Sequence, residues 1–144
     1  MKAKRIAAVS LGLALAASLV SMSAYAADAQ LDKAIAEGQN SFAHNTFKGN
    51  GKVCESCHVG GGKEAGKLPN GKAIPSLANA AAIFPRINQK SGKLVTLTDQ
   101  VRSCATNALS GTPPEYGSEE LNSLVSYITS LAEGKPIDMG GMPK

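Results

Sequence analysis

The feature that most constrains this chain is a pentapeptide, Cys54-Glu55-Ser56-Cys57-His58, of the form C-x-x-C-H. Two thiols three positions apart on a tight turn can each form a thioether with one of the two vinyl groups of a haem. The adjacent imidazole then lies under the iron as its proximal ligand. A zinc site would want four ligands, and the sequence has no second Cys/His pair. A thioredoxin-like disulfide would want a βαβ setting, and no such pattern surrounds these residues. One covalent haem c on Cys54, Cys57 and His58 is therefore the expected cofactor. Composition agrees: the 144 residues include no Trp, three Phe and three Tyr, a modest aromatic content that leaves room for an apolar prosthetic group in the core.

The first 26 residues have the three parts of a secretory signal. Lys2, Lys4 and Arg5 form a positive start, Ile6 to Val20 an apolar run, and Ala24-Tyr25-Ala26 the small residues of a cleavage site. The run is about 15 residues, short of the roughly 20 that span a bilayer, so no membrane span is expected in the mature form. Cleavage after Ala26 would leave a single domain, 27–144, in the periplasm, and would lower the formal charge from +4 to +1. The basicity lies mostly in the signal, which removes the main support for a nucleic-acid partner. In an oxidising compartment each of the three cysteines needs an explanation.

Apolar periodicity predicts an all-α domain with its helices packed around the haem. The first helix is expected over Asp28–His44, with Leu31, Ile35, Gly38 and Phe42 on one face and Asp28 and Asp32 near its positive end. Val59–Lys72, rich in Gly and Lys, is expected to be an exposed irregular loop, a short helix is expected over Ser76–Ile83, and Asn88–Lys93 reads as a turn. Thr98 is the expected N-cap of a helix whose apolar face carries Val101, Cys104, Ala105 and Ala108. Ser118 caps the last helix, with Glu119 and Glu120 in its first turn and Leu121, Leu124, Val125, Ile128 and Leu131 as its stripe.

Helices at both ends of a haem motif resemble a class I cytochrome c. In that family a Gly and an aromatic on the first helix cross an aromatic on the last, and Gly38, Phe42 and Tyr127 match those positions. Ile74-Pro75-Ser76-Leu77 resembles the family's Pro-containing loop, which implies that the Pro75 carbonyl accepts from His58 and holds its tautomer.

The family's distal methionine has no counterpart, since no Met lies between residues 59 and 138. Four residues are candidates for the other face of the iron: His44, Cys104, Met139 and Met142. His44 lies upstream of the motif near a helix end. Met139 and Met142 sit in a Gly-rich tail that could fold back, and a thioether is a common haem ligand. Cys104 is the cysteine left over once Cys54 and Cys57 are bonded, on the apolar face of its helix; an inert buried thiol is the bland alternative.

Phe84-Pro85, Gly92, Val95-Thr96-Leu97, Arg102, Cys104, Glu120-Leu121 and Gly134-Lys135-Pro136 together resemble the haem domains of sulfur-oxidising cytochromes. These are the Sox-type thiosulfate-oxidising cytochromes and thiosulfate dehydrogenase. The resemblance covers about residues 53–137 and implies ligation of iron by His58 and Cys104. A thiolate donates strongly and favours ferric iron, so this pair should lower the potential relative to His/Met. Arg102, if close to Cys104, could keep the thiolate charged or attract a sulfur oxyanion. Those enzymes carry a second haem domain or a partner cytochrome, whereas this chain has one motif, so a second cytochrome subunit is a possible partner.

Lys48, Lys52, Lys63, Lys67 and Lys72 outnumber Glu55 and Glu64 around the motif, a local charge of +3 that would steer an acidic redox partner. The expected function is a periplasmic monohaem cytochrome that passes single electrons between redox proteins, in sulfur-compound oxidation. The alternative is a catalytic haem subunit of a thiosulfate-oxidising enzyme.

Overall fold

The computed structural model describes residues 13–143, with side-chain surroundings from residue 27 onward. Residues 1–12, the first half of the expected export signal, lie outside the described residues. The chain divides into two compact units, Met1–Asp32 and Lys33–Lys144, and the chemistry lies in the second. The described elements are mostly helical. Helix α1 (Leu13–His44) is followed by a 3-10 turn at Cys54–Ser56, strands β1 (Gly66–Lys67) and β2 (Ala73–Ile74), and helix α2 (Ala80–Ile83). Strands β3 (Arg86–Ile87) and β4 (Leu94–Val95) lead to helices α3 (Leu97–Asn107) and α4 (Glu119–Ser130).

The helix expected to begin at Asp28 runs continuously from Leu13, so Asp28 and Asp32 sit in its interior and not at its positive end. Ala and Leu dominate the segment before Asp28, and nothing there stops a helix. Leu31, expected on the inward face, is 53% exposed. The core starts further along, where Ile35 and Phe42 pack into the cluster.

Gly38 explains how closely α1 approaches α4. A Cβ there would run into the Ser123 carbonyl and the Tyr127 Cβ, so only a residue without a side chain fits. One turn later Phe42, 2% exposed, meets Tyr127 edge-on with ring centroids 5.4 Å apart. Leu121 and Leu124 of α4 are fully buried beside them. Each such side chain contributes about 1.5–3 kcal/mol by leaving water. Ser118 caps α4 by accepting from Leu121 N–H at 3.2 Å, as its position before Glu119 and Glu120 predicts.

Helix α3 begins two residues earlier than expected. Thr96, not Thr98, is its N-cap: Asp99 N–H donates to Thr96 Oγ1 at 3.1 Å, and Thr96 N–H donates back to Asp99 Oδ2 at 2.9 Å. This reciprocal pair is a capping box with Asp in the usual Glu position, and it outcompetes the single bond Thr98 could offer.

Val59–Lys72 also differs from the expected open loop. Gly62 and Gly66 are buried, and β1 pairs antiparallel with β2 in the register Gly66↔Ile74 and Lys67↔Ala73. Gly62 has φ +85° and lies against Phe42, Leu77 and Leu131, so its glycine serves both a left-handed turn and a close approach. The expected helix over Ser76–Ile83 shortens to α2 alone. Asn88–Lys93 does form a turn, closed by the Asn88 side chain accepting from Lys90 and Ser91 N–H, and it joins β3 to β4. Among the described residues no helix is long and apolar enough to cross a membrane.

Candidate functional site

The C-x-x-C-H segment is a single tight turn. Cys57 and His58 N–H both donate to the Cys54 carbonyl, at 3.2 and 3.0 Å, and Val53 N–H donates to Ser56 Oγ at 3.0 Å. The Gly-rich stretch behind it is tied down rather than loose. Gly61 N–H donates to Glu55 Oε1 at 2.9 Å, the Tyr127 hydroxyl donates to the Gly61 carbonyl at 2.7 Å, and Leu77 N–H donates to the Gly62 carbonyl at 2.7 Å. Helix α4 and the 74–77 segment thus hold the motif from two sides.

The turn faces a small, partly open apolar cleft with a cavity volume of about 100 Å³. Cys54, Cys57 and His58 line one side; Gln100, Val101 and Cys104 of α3 line another. Phe42, Leu77, Phe84 and Leu124 supply apolar walls. None of the three cysteines is paired in a disulfide. Among the described residues no three His, Cys, Asp or Glu side chains converge closely enough to hold a bare metal ion. Four potential donors therefore share one apolar cleft.

Electrostatics fit a neutral, dry site. Burial pushes the Cys54 thiol up to about 12, and Cys104 facing it adds to the rise. Burial also raises Cys104, opposed by the Gln100 amide, whose Nε2 donates to Sγ at 3.4 Å. Burial lowers His58, keeping the imidazole in the neutral form that binds metals. The Pro75 carbonyl lies close enough to pull the ring's basicity back upward. Nδ1 is nonetheless buried without a hydrogen bond of normal geometry, an orphan that a small ring rotation on binding a ligand through the other nitrogen would satisfy. The residues present fit a covalent haem: two thiols for the vinyl groups, an imidazole beside them, and an apolar slot.

The other expected ligands lie elsewhere. The C-terminal tail packs on α2, with Asp138 N–H donating to the Ala82 carbonyl and Gly140 N–H to the Ile83 carbonyl. Met139 and Met142 are 67% and 58% exposed, and neither lines the cleft. His44 is exposed, its Nδ1 3.1 Å from the Asn40 carbonyl one turn back. Arg102 points away from the cleft: it donates to the Pro114 carbonyl, and its guanidinium lies 4.0 Å over the Tyr116 ring. Its expected service to the Cys104 sulfur is not seen, because Pro114 and Tyr116 offer a neutral acceptor and a π face on the outer side of α3. Lys48, Lys52, Lys63, Lys67 and Lys72 are all exposed. Sequence reasoning missed Gln100, although its position four residues before Cys104 on a helix places both side chains on one face.

Similarity to known proteins agrees with this geometry. A thiosulfate dehydrogenase from Psychrobacter arcticus is 28% identical over 88 residues, covering 61% of this chain and 25% of that protein. The L-cysteine S-thiosulfotransferase subunit SoxA of Paracoccus pantotrophus is 26% identical over 90 residues, 62% of this chain and 27% of that protein. The chain thus spans about a quarter of the length of these curated relatives. The fold matches that of the thiosulfate dehydrogenase TsdBA from Marichromatium purpuratum, with a TM-score of 0.60 and 24% identity over 79% of this chain and 27% of that one. Residues 37–137 match the SoxA/TsdA cytochrome c domain, and with the motif, the cleft and the helix crossing in place, the chain belongs to that family, whose cytochrome c domain implies covalent haem c.

Proposed function

We propose that this chain is an exported monohaem c-type domain of a thiosulfate-oxidising enzyme, with haem bonded to Cys54 and Cys57 and iron held between His58 and Cys104. The observation that carries the proposal is the placement of Cys104 in the same apolar cleft as Cys54, Cys57 and His58, with Met139, Met142 and His44 outside it. A haem bound there supplies a one-electron redox centre. The chain's residues do the rest: Cys54 and Cys57 anchor, the Pro75 carbonyl orients His58, and the walls formed by Phe42, Leu77 and Leu124 exclude water. Cleavage after Ala26 would release the domain to the periplasm, where a second cytochrome subunit takes up the electrons.

The test is turnover of thiosulfate by the haem-loaded protein, with an artificial acceptor and with a partner cytochrome. Reduction of the acceptor that depends on both thiosulfate and Cys104 supports the enzyme. No turnover under either condition contradicts it and leaves the carrier reading. One observation favours that second reading: none of the residues lining the cleft is a Lys or Arg that would draw in an anion, whereas the lysines around the motif stand ready for an acidic redox protein.

A further inference from the structure

We propose that Gln100 is a positioning residue for the Cys104 sulfur, and that its amide hydrogen bond sets how much electron density this ligand gives to iron. The inference rests on the assignment of Cys104 as a ligand and goes beyond it. Gln100 and Cys104 are one turn apart on α3 and both line the cleft. Nε2 of Gln100 donates to Cys104 Sγ at 3.4 Å, within the reach of an N–H···S bond. Among the described residues no cation takes this role, since Arg102, the basic residue of α3, is turned outward onto Pro114 and Tyr116. In an apolar cleft a single dipole acts with little screening. An N–H aimed at a thiolate withdraws charge from sulfur, weakens its donation to ferric iron, and so favours the reduced state. The same bond fixes the rotamer of Cys104, so that the sulfur meets its partner without first being ordered.

The experiment is a potentiometric titration, with optical spectra, of the haem-loaded wild type, Gln100→Met, Gln100→Glu, Cys104→Ala and the Gln100→Met/Cys104→Ala pair. Met keeps the length of Gln without the donor. A roughly tenfold shift of the reduction equilibrium toward the oxidised form is expected in Gln100→Met, about 59 mV downward for one electron. Gln100→Glu should shift at least as far in the same direction, and it keeps the test open should Gln100→Met fail to fold. The shift should vanish when Cys104 is already Ala, because the two residues act as one unit. An unchanged potential in both Gln100 variants, with the Cys104→Ala spectrum altered, overturns this inference and leaves the ligation standing. A shift of the same size in the Cys104→Ala background also overturns it, because the effect then bypasses sulfur. A Cys104→Ala spectrum identical to wild type removes the ligation and this inference together.

Discussion

The two walls of the cleft are built by different means. On the motif side, backbone and side-chain hydrogen bonds from four segments converge within a short stretch: the Cys54 carbonyl takes two N–H groups, Tyr127 reaches Gly61, and Leu77 reaches Gly62. Behind them Phe42, Leu124 and Tyr127 are buried in the core. On the α3 side Ala105 and Leu109 are buried in the same core cluster, and the outer face of the helix carries a second set of contacts. There the Thr96–Asp99 capping box, the Tyr116 hydroxyl on Asp99 Oδ1 at 2.7 Å, and Arg102 stacked on Tyr116 make an exposed clamp. The motif wall is tied by hydrogen bonds to α4 and to the 74–77 segment, while the Cys104 wall adds a polar clamp at the surface to its apolar packing.

Substitutions can break this contrast, and the largest effect is expected on the motif side. Leu124→Ala, at a fully buried site in contact with both the core and the cleft, should cost about 2–5 kcal/mol in denaturant unfolding of the haem-loaded protein. Gly38→Ala forces the α1–α4 crossing apart and should cost about 1–3 kcal/mol by the same measurement. If either change is tolerated with less than the effect of a surface substitution, the crossing does not anchor the motif.

Smaller effects sharpen the comparison. Thr96→Ala removes the α3 cap and should cost about 1 kcal/mol, with the Cys104 wall loosened before the motif wall in amide exchange. Its pH dependence has a definite sign. The Thr96 N–H and the Tyr116 hydroxyl hold the Asp99 carboxyl below the usual carboxylate range. The stability from Asp99 is thus fully present above its unfolded-state value of about 3.8 and is lost as pH falls through the depressed folded value. Wild type and Asp99→Asn should therefore converge in stability below that range; a gap that persists in acid would show that the Asp99 carboxylate does not carry this contribution. Tyr127→Phe, which removes only the hydroxyl bond to Gly61, should cost about 1 kcal/mol and leave the α3 wall unchanged.

The same contrast governs what can be read from residue order. The motif wall is legible because its information is local: the cysteine spacing, the Gly38/Phe42 pair and the Ser118 cap each fit within one turn or one helix. The expected position of Pro75 beside His58 also rests on a short segment. The rest depends on long-range packing. Nothing adjacent to Gly62 or Gly66 reveals that Phe42 and β2 will cover them. Arg102 turns outward because Pro114 and Tyr116, a loop away, offer better contacts than the cleft. Met139 and Met142 keep to the surface because the tail finds free carbonyls on α2, a partner no periodicity announces. Thr96 wins the capping role from Thr98 only because Asp99 can answer it from three residues on.

The covalent bond set is tested most directly by extraction of the purified, matured protein with acidified organic solvent, followed by peptide mass analysis. The pigment is expected to stay with the polypeptide, on the fragment that contains Cys54, Cys57 and His58. Pigment that passes into the solvent, or a colourless protein after expression with a working maturation apparatus, would contradict the assignment of haem to these two thiols.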